Sequence, residues 1–133
     1  MKKFNVGVKS LIRRSDGAIL LLKKNKAQDA FWEAPGGRID GHETIEQTLQ
    51  RELAEELPGI SDVEVVRLLT AFRLPDDIGE DLGLLLIYYI VTATLPKKIK
   101  ISEEHSDYQW VKSAKDLPVN HGTKQALEAF FKN

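Results

Sequence analysis

The segment that decides the fold is GGRIDGHETIEQTLQRELAEELPGI, which runs from Gly36 to Ile60. Its second half predicts an α-helix from Ile45 to Leu57, because apolar side chains recur there every four residues and form one stripe. The apolar side chains are Ile45, Leu49, Leu53 and Leu57. Thr44 and Gln47 have the spacing of a capping box, which marks the start of the helix. Pro58 lacks the amide that would extend the helix, so the sequence also predicts its end.

The predicted helix carries three glutamates near its C-terminal end, at Glu52, Glu55 and Glu56. The helix dipole is negative there, so each carboxylate is disfavoured by about 0.3 to 1 kcal/mol. Glu52 and Glu56 lie one turn apart, and this like-charge spacing costs about another 0.2 to 0.5 kcal/mol. Arg51 is the only basic residue of the helix. A divalent cation, Mg²⁺ or Mn²⁺, therefore suits these carboxylates better; the alternative is a solvated acidic face.

The first half of the segment predicts a glycine-rich loop. The residues that predict it are Pro35, Gly36, Gly37 and Gly41. Glycine tolerates tight backbone turns and leaves amides and carbonyls unobstructed. Because the positive end of the helix dipole follows, such a loop can wrap a phosphate chain or give a carbonyl oxygen to a metal.

The spacing of these residues closely resembles the signature of the Nudix hydrolases, which are pyrophosphohydrolases of nucleoside diphosphates linked to another group. The match consists of Gly37, five residues, Glu43, seven residues and then Arg51-Glu52-Leu53-Ala54-Glu55-Glu56. One departure follows the box. The family ordinarily has one residue and then glycine after the paired glutamates, whereas here Leu57 and Pro58 both precede Gly59.

The resemblance implies roles for the residues of the box. Glu52 and Glu56 are expected to be the principal metal ligands, and Glu55 is expected to be a further ligand or a base acting through water. The carbonyl of Gly36 is expected to be an additional ligand. The residues expected to hold the loop and helix in register are Gly37, Glu43 and Arg51. The candidate general bases are Glu55, Glu56 and Glu104.

Glu104 lies in a segment, SEEHSDYQWV from Ser102 to Val111, that resembles a second conserved region of the family. We expect Glu104 to complete the metal site or to orient the attacking water, and Glu103 is the neighbouring alternative. Solvation in a loop is the other interpretation for both. His105 is a contact to phosphate, an acid near neutral pH or a structural residue.

Several other residues are candidates for contacts with substrate. Arg38 follows the two glycines, and Trp32 either stacks on a nucleobase or packs in the core. The lysines at 23, 24 and 26 form either a phosphate-attracting rim or a polar turn. Pro75 lies sixteen residues beyond Gly59, as in the ADP-ribose subgroup, although turns favour proline in any case.

The remaining pattern predicts strands interleaved with a second helix. Residues 4–14 and 18–23 are expected to form a β-hairpin around Ser15-Asp16-Gly17. Further strands are expected at 31–34, 63–74, 84–94 and before 111, with a closing helix at 123–131. This order indicates a mixed sheet between helices, and the resemblance implies the Nudix α/β/α sandwich as a single domain over residues 1–133.

Composition narrows the partners and the location. Nineteen basic and 20 acidic residues give a net charge of −1, so we expect a small nucleotide ligand and no nucleic acid polymer. Cysteine is absent, which excludes disulfides and thiol chemistry. Charged residues interrupt the N-terminal segment and no apolar run is long enough for a membrane span, so a cytoplasmic protein is expected. A homodimer is common in the family, but no apolar stripe in the sequence predicts one.

The leading hypothesis is therefore a Mg²⁺-dependent pyrophosphohydrolase that acts on a nucleoside triphosphate or an ADP-ribose-like substrate. The alternative from another class is a nucleotide-binding or regulatory module without turnover, although such a module has little reason to keep three crowded carboxylates. A prenyl diphosphate isomerase is a third possibility, disfavoured because that reaction often uses cysteine.

Overall fold

The computed structural model describes residues 1–25 and 31–132, which contain seven strands and two helices. The strands are β1 (Lys3–Ile12), β2 (Ile19–Lys24), β3 (Trp32–Glu33), β4 (Gly36–Arg38), β5 (Ser61–Arg73), β6 (Leu82–Thr94) and β7 (His105–Val111). The helices are α1 (Ile45–Glu56) and α2 (His121–Phe131). Lys26, one of the candidate rim lysines, lies outside the described residues.

The described strands form two sheets. The first has the order β4-β1-β6-β5, with β1 parallel to β6 and the other neighbours antiparallel. The second has the order β3-β2-β7 and is antiparallel throughout. The mixed sheet and the two helices confirm the predicted α/β class, whereas the second sheet was not distinguished from the sequence.

The predicted hairpin of the first two strands is wrong. β1 and β2 lie in different sheets, and the described backbone joins them through an isolated bridge between Arg13 and Ile19. One edge of β1 pairs with β6 along its whole length, and the other is occupied from Gly7 to Ser10 by β4 and Pro35, so β2 does not pair along β1. The turn at residues 15–17 therefore carries the chain from one sheet to the other.

The glycine-rich loop is also partly a strand. β4 pairs with β1 in an antiparallel ladder that places Gly36 opposite Lys9 and Gly37 opposite Val8. Gly36 has a φ of +147°, and a Cβ there would lie 2.1 Å from the carbonyl oxygen of Val8. Only glycine permits this approach of the two backbones.

Helix α1 follows the predicted pattern closely. Thr44 accepts a hydrogen bond from the Gln47 amide, and the Gln47 side chain accepts one from the Thr44 amide, so the capping box is confirmed. The stripe residues Leu49, Leu53 and Leu57 are fully buried, in a core that they share with β1, β2 and β6. The stripe thereby fixes which face of α1 turns away from solvent.

Helix α2 covers the other core, which lies between the two sheets. Ala126 and Leu127 pack there against residues of β1, β2 and β6, including Leu11, Leu21 and Tyr88. Asn120 caps the helix by accepting a hydrogen bond from the Thr123 amide at 2.8 Å. Neither helix in the described chain has the length and apolar character needed to cross a membrane.

Candidate active site

A cleft of about 880 Å³ opens between the first sheet, the end of the second sheet and the start of α2. The lining of this cleft has a charged part and an apolar part. The charged residues in the lining are Lys9, Lys24, Glu33, Arg38, Glu56, Asp76, Glu104 and, if protonated, His121. The apolar wall comes mainly from β5 and β6 and consists of Phe72, Leu84, Leu86 and Tyr88, continued by Leu74 and Pro75. The cleft can therefore hold a molecule with one charged part and one apolar part.

Glu56 is the most deeply buried of the three helix glutamates, with 5% of its surface exposed. Its Oε1 atom accepts a hydrogen bond from the Gly36 amide at 2.8 Å. Burial raises the pKa of its carboxyl to about 7, and the opposing effects of the Lys9 charge and the Gly36 hydrogen bond are smaller. The result is a carboxylate at the cleft that is held by a backbone amide and poorly solvated.

Glu52 and Glu55 have different surroundings from Glu56. The Oε1 atom of Glu52 accepts a hydrogen bond from Arg51 Nη1 at 2.7 Å, and its carboxyl group lies over Gly37. A Cβ at Gly37 would approach the Glu52 Cδ atom to 2.2 Å, so glycine makes room for this carboxylate. Glu55 has a side chain that is 61% exposed, 3.8 Å from Arg51 Nη1.

Arg51, in the middle of α1, ties the helix to the connection that precedes it. Its Nε and Nη2 atoms donate to the two carboxylate oxygens of Glu43 at 2.7 and 2.9 Å, and Nη2 also donates to the Arg38 carbonyl at 3.1 Å. Arg51 holds the pKa of Glu43 at about 2, well below its usual range. This paired arrangement is strong and directional, so it holds the 38–44 connection against the helix.

The described residues do not form a ready-made metal site. Among residues 1–25 and 31–132, no three Asp, Glu or His side chains converge tightly enough to hold an ion. The donor chemistry nevertheless fits a hard divalent cation, because carboxylate oxygens are the ligands that Mg²⁺ and Mn²⁺ prefer. Glu56 is buried with a neutral amide as its hydrogen-bond partner, and a cation beside it would offset the cost of its burial. Glu56 and, one turn before it, Glu52 are the carboxylates that would hold such an ion.

The structure places the other predicted residues in contrasting positions. Glu104 and Arg38 are exposed and line the cleft. Asn25 positions the loop of Glu104, because its amide donates to the Glu104 carbonyl at 2.9 Å and its side chain donates to the Glu103 carbonyl at 3.0 Å.

Trp32 is 7% exposed and belongs to the core that α2 covers. Its burial favours packing over base stacking, since β3 turns this face toward α2.

Phe31 and Lys9 are cleft residues that sequence reasoning missed. Phe31 is 49% exposed and lies in the cleft lining, next to the tryptophan that the sequence favoured. Lys9 interrupts the apolar run VGVKSLI of β1, a signal that a lysine is buried in a strand. Its Nζ lies 3.5 Å from Glu33 Oε1.

Glu33 is the centre of a buried polar cluster. Its Oε2 atom is 3.1 Å from His105 Nε2, and its Oε1 atom is 3.8 Å from Lys24 Nζ. Burial would raise the pKa of Glu33, but the His105 hydrogen bond and the charges of Lys9 and Lys24 hold it at about 2. Glu33 is therefore ionised at neutral pH, and His105 is a buried partner of it, which corresponds to the structural interpretation.

Known proteins resemble this chain over nearly its whole length. The family model for the NUDIX domain matches residues 3–130. Nucleoside triphosphatase NudI of Escherichia coli O139:H28 is 33% identical over 128 residues, which cover 86% of this chain and 88% of that protein. NudI of Shigella flexneri matches with the same identity and coverage.

Solved structures agree with the sequence comparison. The crystal structure of a MutT NUDIX hydrolase from Burkholderia pseudomallei superposes with a TM-score of 0.74 at 29% identity, over 96% of this chain and 98% of that chain. The solution structure of the E. coli ORF135 protein superposes with a TM-score of 0.76 at 27% identity, over 97% and 89% of the two chains. Box, fold and relatives agree, and the chain belongs to the Nudix hydrolase family.

Proposed function

We propose that this chain acts as one Nudix domain that hydrolyses a diphosphate bond of a nucleoside triphosphate with Mg²⁺ or Mn²⁺. The observation that carries the proposal is the buried carboxylate of Glu56 on the cleft wall, with Glu52 one turn before it. The NudI relatives are named as nucleoside triphosphatases. That name favours a nucleoside triphosphate as the substrate. The spacing of Pro75 alone would instead suggest an ADP-ribose-like substrate.

The two kinds of cleft lining match the two parts of such a substrate. The nucleoside is the less charged part, and we place it against the apolar wall of Phe72, Leu86 and Tyr88. The phosphate chain then lies toward Arg38 and the α1 glutamates. A divalent ion held by these glutamates would neutralise phosphate charge and lower the pKa of a water molecule. A guanidinium suits phosphate oxygens because its N–H groups form a planar fork.

Water that attacks phosphorus must lose a proton to a base. Of the three candidate bases, Glu56 and Glu104 line the cleft, whereas Glu55 is largely exposed. Glu56 is also a candidate metal ligand, and a carboxylate that holds an ion is a poorer proton acceptor. Glu104 is therefore our first candidate for the base, with Glu55 as the alternative.

The first prediction concerns the helix glutamates. Glu52→Gln and Glu56→Gln keep the side-chain volume and remove the charge, so we expect kcat with Mg²⁺ to fall by roughly 100-fold or more. Glu46→Gln is the matched control, because Glu46 is an exposed residue of the first turn of the same helix. Activity is measured as release of nucleoside monophosphate and pyrophosphate. Full activity in both site variants would refute the proposal.

A second readout does not depend on turnover. A ligand that binds the folded state raises the melting temperature, so Mg²⁺ and Mn²⁺ should stabilise the wild type and Glu46→Gln more than Glu56→Gln. A panel of nucleoside triphosphates, ADP-ribose, nucleotide sugars and dinucleoside polyphosphates then identifies the substrate by its products. Calorimetry that detects tight nucleotide binding, with no metal-dependent product from any substrate, would favour the non-catalytic binding module instead.

A further inference from the structure

Lys9 is a charged residue of β1, a strand whose second half is buried on both faces. It shares one face with Gly7, which also lines the cleft, and with Leu11, which is fully buried in the core beyond the cleft. Lys9 itself is 9% exposed and belongs to the cleft lining. Burying an ammonium group costs several kcal/mol unless charge or hydrogen bonds offset the cost. A lysine at this position therefore requires an explanation.

Pairing with Glu33 accounts for only part of that cost. The 3.5 Å between Lys9 Nζ and Glu33 Oε1 is longer than the about 2.7 to 3.2 Å of a good N–H···O hydrogen bond. Glu33 already has His105 at 3.1 Å and Lys24 at 3.8 Å, so its charge does not depend on Lys9 alone. The Lys9 charge also acts on Glu56, which places the ammonium group near that carboxylate. An ammonium group has three donors, and the one loose contact to Glu33 leaves donating capacity toward the cleft.

The position of Lys9 is next to the predicted phosphate end of the cleft. In the β1–β4 ladder Lys9 lies opposite Gly36, and the Gly36 amide donates to the buried Glu56 carboxylate. A phosphate group that approaches a metal held by Glu56 would come close to the Lys9 ammonium. Lysine serves phosphate as a compact point charge.

We propose that Lys9 binds a phosphate group of the substrate at the floor of the cleft, and that Glu33 is a positioning residue which holds the Lys9 ammonium there. This inference rests on the proposed function in that it assumes a ligand with a phosphate chain. A phosphate contact would account for the burial of the Lys9 ammonium, which the contact to Glu33 offsets only in part.

The test is a double-variant cycle with Lys9→Met, Glu33→Gln and both together. Binding of inorganic pyrophosphate is measured by calorimetry with and without Mg²⁺, and the melting temperature is measured in parallel. Lys9→Arg is the conservative variant, and Lys3→Met is the matched control, because Lys3 is an exposed lysine of the same strand.

We expect Lys9→Met to weaken pyrophosphate binding roughly tenfold or more, the loss that follows from one charged hydrogen bond. Lys9→Met also leaves Glu33 with fewer partners and should lower the melting temperature. The double variant should lose less thermal stability than the sum of the two single variants, because the Lys9–Glu33 contact is lost only once, but it should not regain pyrophosphate affinity. Lys9→Arg should restore part of the affinity, and Lys3→Met should bind as the wild type does.

Two results would overturn the inference. One is wild-type pyrophosphate affinity in the double variant, which would make Lys9 a structural partner of Glu33 only. The other is failure of the wild type to bind pyrophosphate under either condition. Binding is measured without turnover, so a protein that binds pyrophosphate through Lys9 and hydrolyses no nucleotide would contradict the proposed function and leave this inference standing.

Discussion

Three glutamates lie close together near the C-terminal end of α1, at Glu52, Glu55 and Glu56. Their surroundings give their carboxylates different properties. Glu56 is buried against a backbone amide and its pKa is raised to about 7, whereas Glu55 is largely exposed. Glu33 is also buried, yet its pKa is held at about 2 because His105 and two lysines face it. Burial disfavours a charge, and a nearby opposite charge reverses the sign of the shift. The role of each glutamate therefore depends on its neighbours.

The Glu33 cluster predicts a specific dependence of stability on pH. The folded-state pKa of Glu33, about 2, lies below the ordinary value of 4.5 for a glutamate, so its stabilising contribution is present above pH 4.5 and is lost as pH falls through 2. We expect the wild type to exceed Glu33→Gln in free energy of unfolding by roughly 1 to 3 kcal/mol at pH 7. That difference should shrink steadily below pH 4.5.

Urea unfolding at a series of pH values measures this difference, with Glu64→Gln as the control because Glu64 is exposed on β5. The groups that face Glu33 are Lys9, Lys24 and His105. A difference between wild type and Glu33→Gln that did not change between pH 7 and pH 3 would contradict the assignment.

At the scale of elements, the site depends on how α1 is held against β4. The Arg51–Glu43 pair fixes the connection between them, and the absence of a side chain at Gly37 lets the Glu52 carboxylate lie over the strand. The capping box fixes where α1 begins. Strand, connection and helix thus act as one unit that presents Glu52 and Glu56 to the same side.

Gly37→Ala tests this unit with a small change. The new Cβ would lie 2.2 Å from the Glu52 Cδ atom, so the carboxyl group must move, but a flexible side chain can do so without unfolding the strand. We expect kcat to fall by roughly tenfold or more, because displacement by about 1 Å is costly in catalysis, while the melting temperature changes little. Gly79→Ala is the control, since its Cβ would meet Leu82 at an ordinary 3.6 Å. Equal activity of the two variants would count against the role of Gly37.

At the scale of the whole molecule, the cleft exists because three parts of the chain meet. The first sheet supplies the apolar wall, the end of the second sheet supplies Glu33 and the loop of Glu104, and α2 closes the cleft at Asn120 to Gly122. At Gly122, the backbone of α2 lies close to the apolar wall. A Cβ there would lie 2.6 Å from the Tyr88 hydroxyl and 3.2 Å from a ring carbon of Phe72.

Gly122→Ala should therefore narrow the apolar part of the cleft. Tyr88 is fully buried and has little room to move, so we expect a loss of roughly 1 to 3 kcal/mol in free energy of unfolding from overpacking. The KM for a nucleoside triphosphate should rise, whereas affinity for pyrophosphate, which lacks a nucleoside, should stay close to that of the wild type. Steady-state kinetics and calorimetry measure the two. An unchanged KM would place the nucleoside elsewhere.

The sequence by itself determined the features that depend on local spacing. The capping box, the stripe of α1, the end of that helix before Pro58 and the spacing of Gly37, Glu43 and the glutamates all lie within 25 residues. A helix places residues three and four apart on one face, so such a pattern can be interpreted without knowing the rest of the fold. The family resemblance followed from the same stretch, whereas the α/β class followed from the order of strands and helices along the chain.

Only the tertiary structure decided which residues surround that helix. Glu33 and His105 are 72 positions apart, and Gly36 and Glu56 are 20 apart, yet both pairs are in hydrogen-bond contact. The hairpin prediction failed because β1 pairs instead with strands from later in the chain, with β6 along its whole length and with β4 at Gly7 to Lys9. Burial and charge depend on all neighbours in space, so a linear pattern cannot supply the pKa of Glu56 or the environment of Lys9.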